Sequence, residues 1–165
     1  MNRQEKLNYI RLFIFDLEGT IISGDCAFNP ESGEKEKLIN SLSKFAEAAK
    51  KKGIRTAIIT GRARDGLIDD LKKLDVDIYA GAVDKITPAD SLLEKYGLTY
   101  GQAAFAGDDI LDLPLLGKAG LKIVPSTARR EVKRSADIVL GAPEELLAEL
   151  TEMLNKTGLD NPDEL

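Results

Sequence analysis

Apolar positions along the chain gather into short runs instead of alternating evenly with polar ones. "RLFIFD" (11 to 16), "GIRTAIITG" (53 to 61), "GQAAFAGDD" (101 to 109), "KAGLKIVP" (118 to 125) and "ADIVLG" (136 to 141) are rich in β-branched or small residues and stop at Gly, Asp or Pro. Strands buried on both faces have this pattern, because neither face needs a polar residue for solvent. Between the runs the period changes. In "EKEKLINSLSKFAEAAKKKG" the residues Leu38, Leu42, Phe45, Ala46 and Ala49 share one helical face, and Gly53 supplies a stop. "ARDGLIDDLKKL" (63 to 74), "PADSLLEKYG" (88 to 97) and "PEELLAELTEML" (143 to 154) repeat the helical spacing, the last with Pro143 in its first turn. Strands alternating with helices predict an α/β fold with a mostly parallel sheet flanked by helices. Residues 20 to 33, "TIISGDCAFNPESG", break the alternation and predict a β-hairpin flap after the first strand. The chain end is polar, so one domain is expected over 1–157 and a C-terminal tail over 158–165.

Composition narrows the function classes. A chain of 165 residues with 43% apolar and 31% charged residues suits a single compact core. Its net charge of -5 leaves it without the basic surface that a nucleic-acid partner requires. There is no histidine, so acid and base chemistry falls to Asp, Glu, Lys or Tyr, and the commonest transition-metal ligand is missing. The single cysteine, Cys26, has no internal disulfide partner; it fits a reducing compartment and reads as structural or incidental. No apolar run approaches the roughly 18 residues that span a bilayer, and "MNRQEKLNYIRL" lacks a signal-peptide core. A soluble, cytoplasmic protein with no membrane partner is expected.

In open α/β sheets the ligand sits beyond the carboxyl ends of the strands, so the residues that follow each apolar run carry the chemistry. Asp16 and Glu18 follow the first run, and Thr60, Gly61 and Arg62 the second. Asp84 and Lys85 precede the next helix, and Asp108, Asp109 and Asp112 follow the third run. Each alone is an ordinary cap, turn former or solvated lysine. Converging carboxylates, however, repel one another unless a cation lies among them, and oxygen donors without His or Cys select Mg²⁺. Lys85 and Thr60 add donors suited to phosphate oxygens. The set as a whole predicts a phosphoryl-transfer site.

In their order, "DLEGT", "IITGR", "DK" and "GDDILD" resemble the four motifs of the haloacid dehalogenase (HAD) superfamily of phosphatases. That resemblance implies a Rossmann-like fold in which Asp16 is a nucleophile that forms an aspartyl-phosphate and Glu18 is the general acid and base. It implies further that Thr60 and Lys85 hold the transferring phosphoryl group, with Gly61 and Arg62 beside them. Asp16, Asp108 and the backbone carbonyl of Glu18 would bind Mg²⁺, supported from behind by Asp109 and Asp112. Most phosphatases of the superfamily carry Asp where Glu18 stands. Glutamate offers the same chemistry with one more methylene, so its carboxyl must fold back to meet the leaving oxygen.

Only about forty residues separate Asp16 from Thr60, and the gap from Thr60 to Lys85 holds one helix and one strand, so neither has room for a cap domain. The chain thus resembles the capless branch typified by 3-deoxy-D-manno-octulosonate 8-phosphate (KDO 8-phosphate) phosphatases. This implies a small phosphorylated sugar or sugar acid as substrate, and a homo-oligomer, a tetramer, in which a neighbour's hairpin walls the site. The likeness fades where substrate is read: "EKLINSLSKF" replaces an Arg-Asp-Gly loop, and the branch's glycine-rich tail gives way to "GAPEELLAELTEML". Arg62 and Arg64 are the candidates for contact with a substrate carboxylate or a neighbouring subunit, the plain alternative being two solvated arginines at a helix start. Two other functions compete. One is a signalling receiver domain that accepts a phosphoryl group, although a receiver puts its adjacent acids after the first strand; the other is an inactive binding subunit of the same fold.

Overall fold

The computed structural model describes residues 1–24 and 33–157. Most of the expected hairpin, including Cys26, lies outside the described residues, as does the tail 158–165. Six strands form one sheet: β1 (Leu12–Phe15), β2 (Arg55–Ile59), β3 (Asp77–Tyr79), β4 (Ala103–Ala106), β5 (Leu121–Pro125) and β6 (Ile138–Leu140). Their order is β3-β2-β1-β4-β5-β6, and all five pairings are parallel. The chain starts at the centre, runs to one edge, then returns past β1 to fill the other side. This is the Rossmann order, with its switch point between β1 and β4, and it differs from the 2-1-3-4-5 order of receiver-type folds. The receiver alternative is thereby removed.

The runs that form β1, β2, β4 and β5 are buried on both faces because helices cover both, whereas in the last run, at the sheet edge, Val139 of β6 is 49% exposed. Phe13, Phe15 and Ile58 join one core with Leu7 of α1 (Arg3–Tyr9), Leu42 and Phe45 of α2 (Glu34–Lys51), Ile68 of α3 (Gly66–Leu71) and Leu150 of α7 (Pro143–Lys156). Leu12, Ile14 and Phe105 point the other way, onto Leu92 of α4 (Ile86–Tyr96), Leu116 of α5 (Leu113–Lys118) and Val132 of α6 (Arg130–Ser135). The predicted face of α2 is the buried one at Leu38, Leu42, Phe45 and Ala49. Phe45 meets Phe13 and Phe15 edge-on, at centroid distances of 5.2 and 5.1 Å. Each such contact contributes about 0.5–1.5 kcal/mol beyond its buried area, so α2 is seated directly over the strand that leads into Asp16.

The strands are shorter than the apolar runs that predicted them. β1 stops at Phe15, β2 at Ile59 and β4 at Ala106, which leaves Asp16, Thr60 and Gly107–Asp108 as the first residues of the loops. Three helices go beyond the sequence reading: α1, α5 and α6. In α1, Asn2 and Glu5 close a capping box, and Lys6 ties the helix to Asp137 at 2.8 Å. In α6, "REVKRS" contributes only Val132 to the core, too little periodicity to mark a helix in advance. Among the described residues no helix is long and apolar enough to cross a membrane.

Candidate active site

Asp16 begins where β1 ends, and its N–H donates to the Ala106 carbonyl of β4 at 2.9 Å, so its backbone still belongs to the sheet. Its Oδ1 accepts the Leu17 N–H at 2.8 Å and lies 3.0 Å from Lys85 Nζ. The same ammonium lies 2.5 Å from Asp112 Oδ1. Asp112 is 1% exposed, and its other oxygen accepts the N–H groups of Asp108 and Asp109 at 3.0 and 3.1 Å. A Cβ at Gly107 would come within 2.8 Å of the Asp112 side chain; glycine is what lets this carboxylate sit under the loop. Gly19 has the same role opposite. Its φ of +79° suits glycine, and a Cβ there would overlap the carboxylate of Asp108. Thr20, fully buried, donates to Asp108 Oδ1 at 3.2 Å.

Three acids and one cation in this volume leave excess negative charge. The Asp16 carboxyl is pushed up to about 7, first by burial and then by the Asp112 charge, against the opposing pull of Lys85 and the Leu17 N–H. Burial and Asp112 raise Asp108 as well. For Lys85 the burial penalty is outweighed by Asp16 and Asp112, so it binds its proton more tightly than usual. Carboxylate oxygens of Asp16, Asp108 and Asp112 all lie within 4.8 Å of one another, a donor set that fits a hard divalent cation. Both oxygens of Asp112 are already engaged, by Lys85 and by two backbone N–H groups. Asp16 and Asp108 therefore keep the coordinating capacity, and Asp112 braces Lys85 and the loop.

The other half of the cavity is built on the turn after β2. Thr60 is 2% exposed; its N–H donates to the Tyr79 carbonyl and its carbonyl accepts the Ala82 N–H, both at 2.9 Å, so its side chain is fixed between two loops. Its Oγ1 accepts the Arg62 N–H at 3.1 Å. Arg62 Nη1 lies 3.1 Å from Glu18 Oε1, and Arg62 also pairs with Asp65. The cavity holds about 400 Å³ and takes in Asp16, Glu18, Thr60, Arg62, Lys85 and Asp108, with Val83 and Leu111 exposed at its rim. A second cavity of about the same size, between α2 and the start of α7, holds none of the motif residues.

Gly61, Asp109 and Asp112 also line the first cavity, whereas two further candidates, Asp84 and Arg64, do not. Asp109 is an exposed cap whose Oδ1 accepts the Ile110 N–H at 2.6 Å. Asp84 is not in the lining; it caps α4 through Ile86 and Thr87. Arg64 is exposed and paired with Asp69 at 2.8 Å, outside the lining. Thr20 and Asp65 were not expected. Thr20 is the last residue of "DLEGT", a signal available in the motif itself, and Asp65 sits where an N-cap belongs ahead of "GLIDDL".

Comparison with known proteins gives a consistent picture. Residues 75–146 match the family of haloacid dehalogenase-like hydrolases. A 3-deoxy-D-manno-octulosonate 8-phosphate phosphatase of Salmonella typhi is 32% identical over 136 residues, 81% of this chain and 72% of the relative. The structure of the Moraxella catarrhalis enzyme of that name, in complex with magnesium, phosphate and KDO, superposes with a TM-score of 0.75 at 28% identity, covering 93% of this chain and 90% of that one. A HAD superfamily (subfamily III A) hydrolase from Legionella pneumophila gives 0.76 at 28% identity, covering 92% and 85%.

Proposed function

The chain belongs to the haloacid dehalogenase-like phosphatases, and from that premise we propose that it is a Mg²⁺-dependent phosphomonoesterase working through an aspartyl-phosphate on Asp16. The observation that carries the reading is the buried Asp16–Lys85–Asp112 cluster with Asp108 beside it, at the carboxyl end of the central strand. Asp16 and Asp108 would hold the metal together with the Glu18 carbonyl. When bound, the cation offsets the excess negative charge, favours ionised Asp16 and draws electron density from the phosphoryl group.

In the first step an Asp16 oxygen forms a bond to phosphorus as the ester P–O bond breaks, and Glu18 gives its proton to the departing alkoxide. In the second, Glu18 takes a proton from water as that water's oxygen bonds to phosphorus. The bond from phosphorus to Asp16 breaks, and inorganic phosphate leaves. Lys85 and the Thr60 hydroxyl bind the phosphoryl oxygens throughout, where fixed donors cost no reorganisation. The substrate class this supports is a small phosphorylated sugar or sugar acid, and KDO 8-phosphate, the compound in the names of the relatives, is the first to try. The open cavity and the exposed Val83 and Leu111 at its rim support a homo-oligomer in which a neighbour covers the site, and the likeness to the capless branch supports a tetramer.

Turnover of p-nitrophenyl phosphate decides the reaction class. It is expected with Mg²⁺, lost on chelation and regained on adding the metal back. Full activity in excess EDTA refutes the metal assignment, and no turnover of any phosphate ester leaves an inactive binding subunit.

A further inference from the structure

Glutamate at the proton-shuttle position has one more rotatable bond than aspartate, so its carboxyl sweeps a larger volume and loses more rotamer freedom when it is held. A general acid must nevertheless lie within hydrogen-bond reach of the leaving oxygen. In this chain the longer side chain is anchored at its tip. Arg62 Nη1 meets Glu18 Oε1 at 3.1 Å, while Oε2 makes no hydrogen bond or ion pair with another described residue. One oxygen is tethered and the other is left to carry the proton.

The anchor is itself fixed independently of Glu18. Arg62 Nε and Nη2 both meet Asp65 Oδ2, at 2.8 and 2.6 Å, and Asp65 Oδ1 caps α3 by accepting the Ile68 N–H at 3.1 Å. The Arg62 N–H is held by Thr60 Oγ1 at 3.1 Å, and the side chain is only 18% exposed. A helix cap and a phosphate-contacting hydroxyl thus set the guanidinium in place, and its planar fork serves two carboxylates at once, which a lysine ammonium matches poorly. We propose that Arg62, braced by Asp65, is a positioning residue that holds the Glu18 carboxyl at the reacting group, the device by which this chain uses glutamate where aspartate is usual. The inference rests on the phosphatase reading above. It assigns Arg62 to Glu18 and not to a substrate carboxylate.

The test is a double-mutant cycle read with an alkyl phosphate and with p-nitrophenyl phosphate. Arg62→Gln is expected to lower kcat on the alkyl ester about tenfold or more with KM within about twofold. On p-nitrophenyl phosphate, whose leaving group needs no proton, it is expected to produce a burst followed by slow turnover as the phosphoenzyme waits for its base. On the Glu18→Asp background, where the shorter carboxyl falls short of the guanidinium, the loss from Arg62→Gln should shrink to less than about threefold. Equal losses on both backgrounds overturn the proposal. So does a rise in KM confined to carboxylate-bearing phosphates with kcat unchanged, which makes Arg62 a substrate contact. If Arg62→Gln does not fold, Arg62→Lys carries the same test, with the same burst expected, and normal kinetics in that variant overturn the proposal. A Glu18→Gln enzyme with wild-type rates refutes the shuttle role itself; an impaired Glu18→Gln beside a silent Arg62→Gln refutes only the positioning.

Discussion

Two triads of carboxylate, cation and carboxylate meet in one cavity, and they behave differently. In Asp16–Lys85–Asp112 the side chains are 11%, 10% and 1% exposed; in Glu18–Arg62–Asp65 they are 41%, 18% and 39% exposed. Burial makes the inner triad electrostatically tense: Asp16 rises to about 7 although a lysine lies 3.0 Å away. In the outer triad the burial penalty on Asp65, the largest single influence, is outweighed by the combined hydrogen bonds from Arg62 and Ile68 and the Arg62 charge, so its carboxyl lies below its ordinary value. The inner group is a charge trap that calls for a further cation, and the outer one is a mechanical brace already close to balance. Chemistry is concentrated where compensation is incomplete.

The largest effect should come from removing the charge at the centre of the tense group. Asp16→Asn is expected to drop turnover to background, a loss of at least about a hundredfold, because an amide is neither an anionic nucleophile nor a good Mg²⁺ ligand. Glu18→Gln should follow, lowering kcat on an alkyl phosphate by about a hundred- to ten-thousandfold. Its metal affinity, read by Mg²⁺ titration, should change little, since the contact expected there is a backbone carbonyl. Lys85→Met separates the triads by stability. Removing one partner from a buried ion pair typically costs about 3–5 kcal/mol, seen as a lower denaturation midpoint without metal, whereas Arg62→Gln at the more exposed brace should cost about 1 kcal/mol or less. Equal costs at the two sites would erase the distinction.

The remaining effect is a pH dependence. Asp16 binds its proton more tightly folded than unfolded, so the metal-free protein loses stability as pH rises from its ordinary value of 3.8 through about 7. Compared with Asp16→Asn, EDTA-treated protein should lose several degrees of Tm between about pH 4 and pH 7.5, and Mg²⁺ should restore them at the upper end. A difference independent of pH means that Asp16 is not strained in the way burial implies.

The inner triad was legible in the sequence because each member stands directly after a buried run or before a helix, and strand ends in a parallel sheet converge by topology. The outer triad was not. Glu18 and Arg62 are 44 residues apart, and their pairing depends on the rotamer of a long side chain, which no periodicity records. Asp65 was hidden by its own ordinariness as a cap. Helix α2 could be read from one face of Leu38, Leu42, Phe45 and Ala49, but α6 places a single residue in the core and left no stripe to read. Asp112 was expected behind the metal ligands; its pairing with Lys85, 27 residues away, needed coordinates.

The hydrogen bond from the Arg62 N–H to Thr60 Oγ1 ties the anchor of Glu18 to the residue that would seat the phosphoryl group. Substitutions in the turn from Thr60 to Asp65 should therefore be epistatic with the residue at position 18. Glutamate grafted into an aspartate-bearing relative would be a poor exchange unless the turn travelled with it, and a lineage drifting from one acid to the other would have to pass through the brace first.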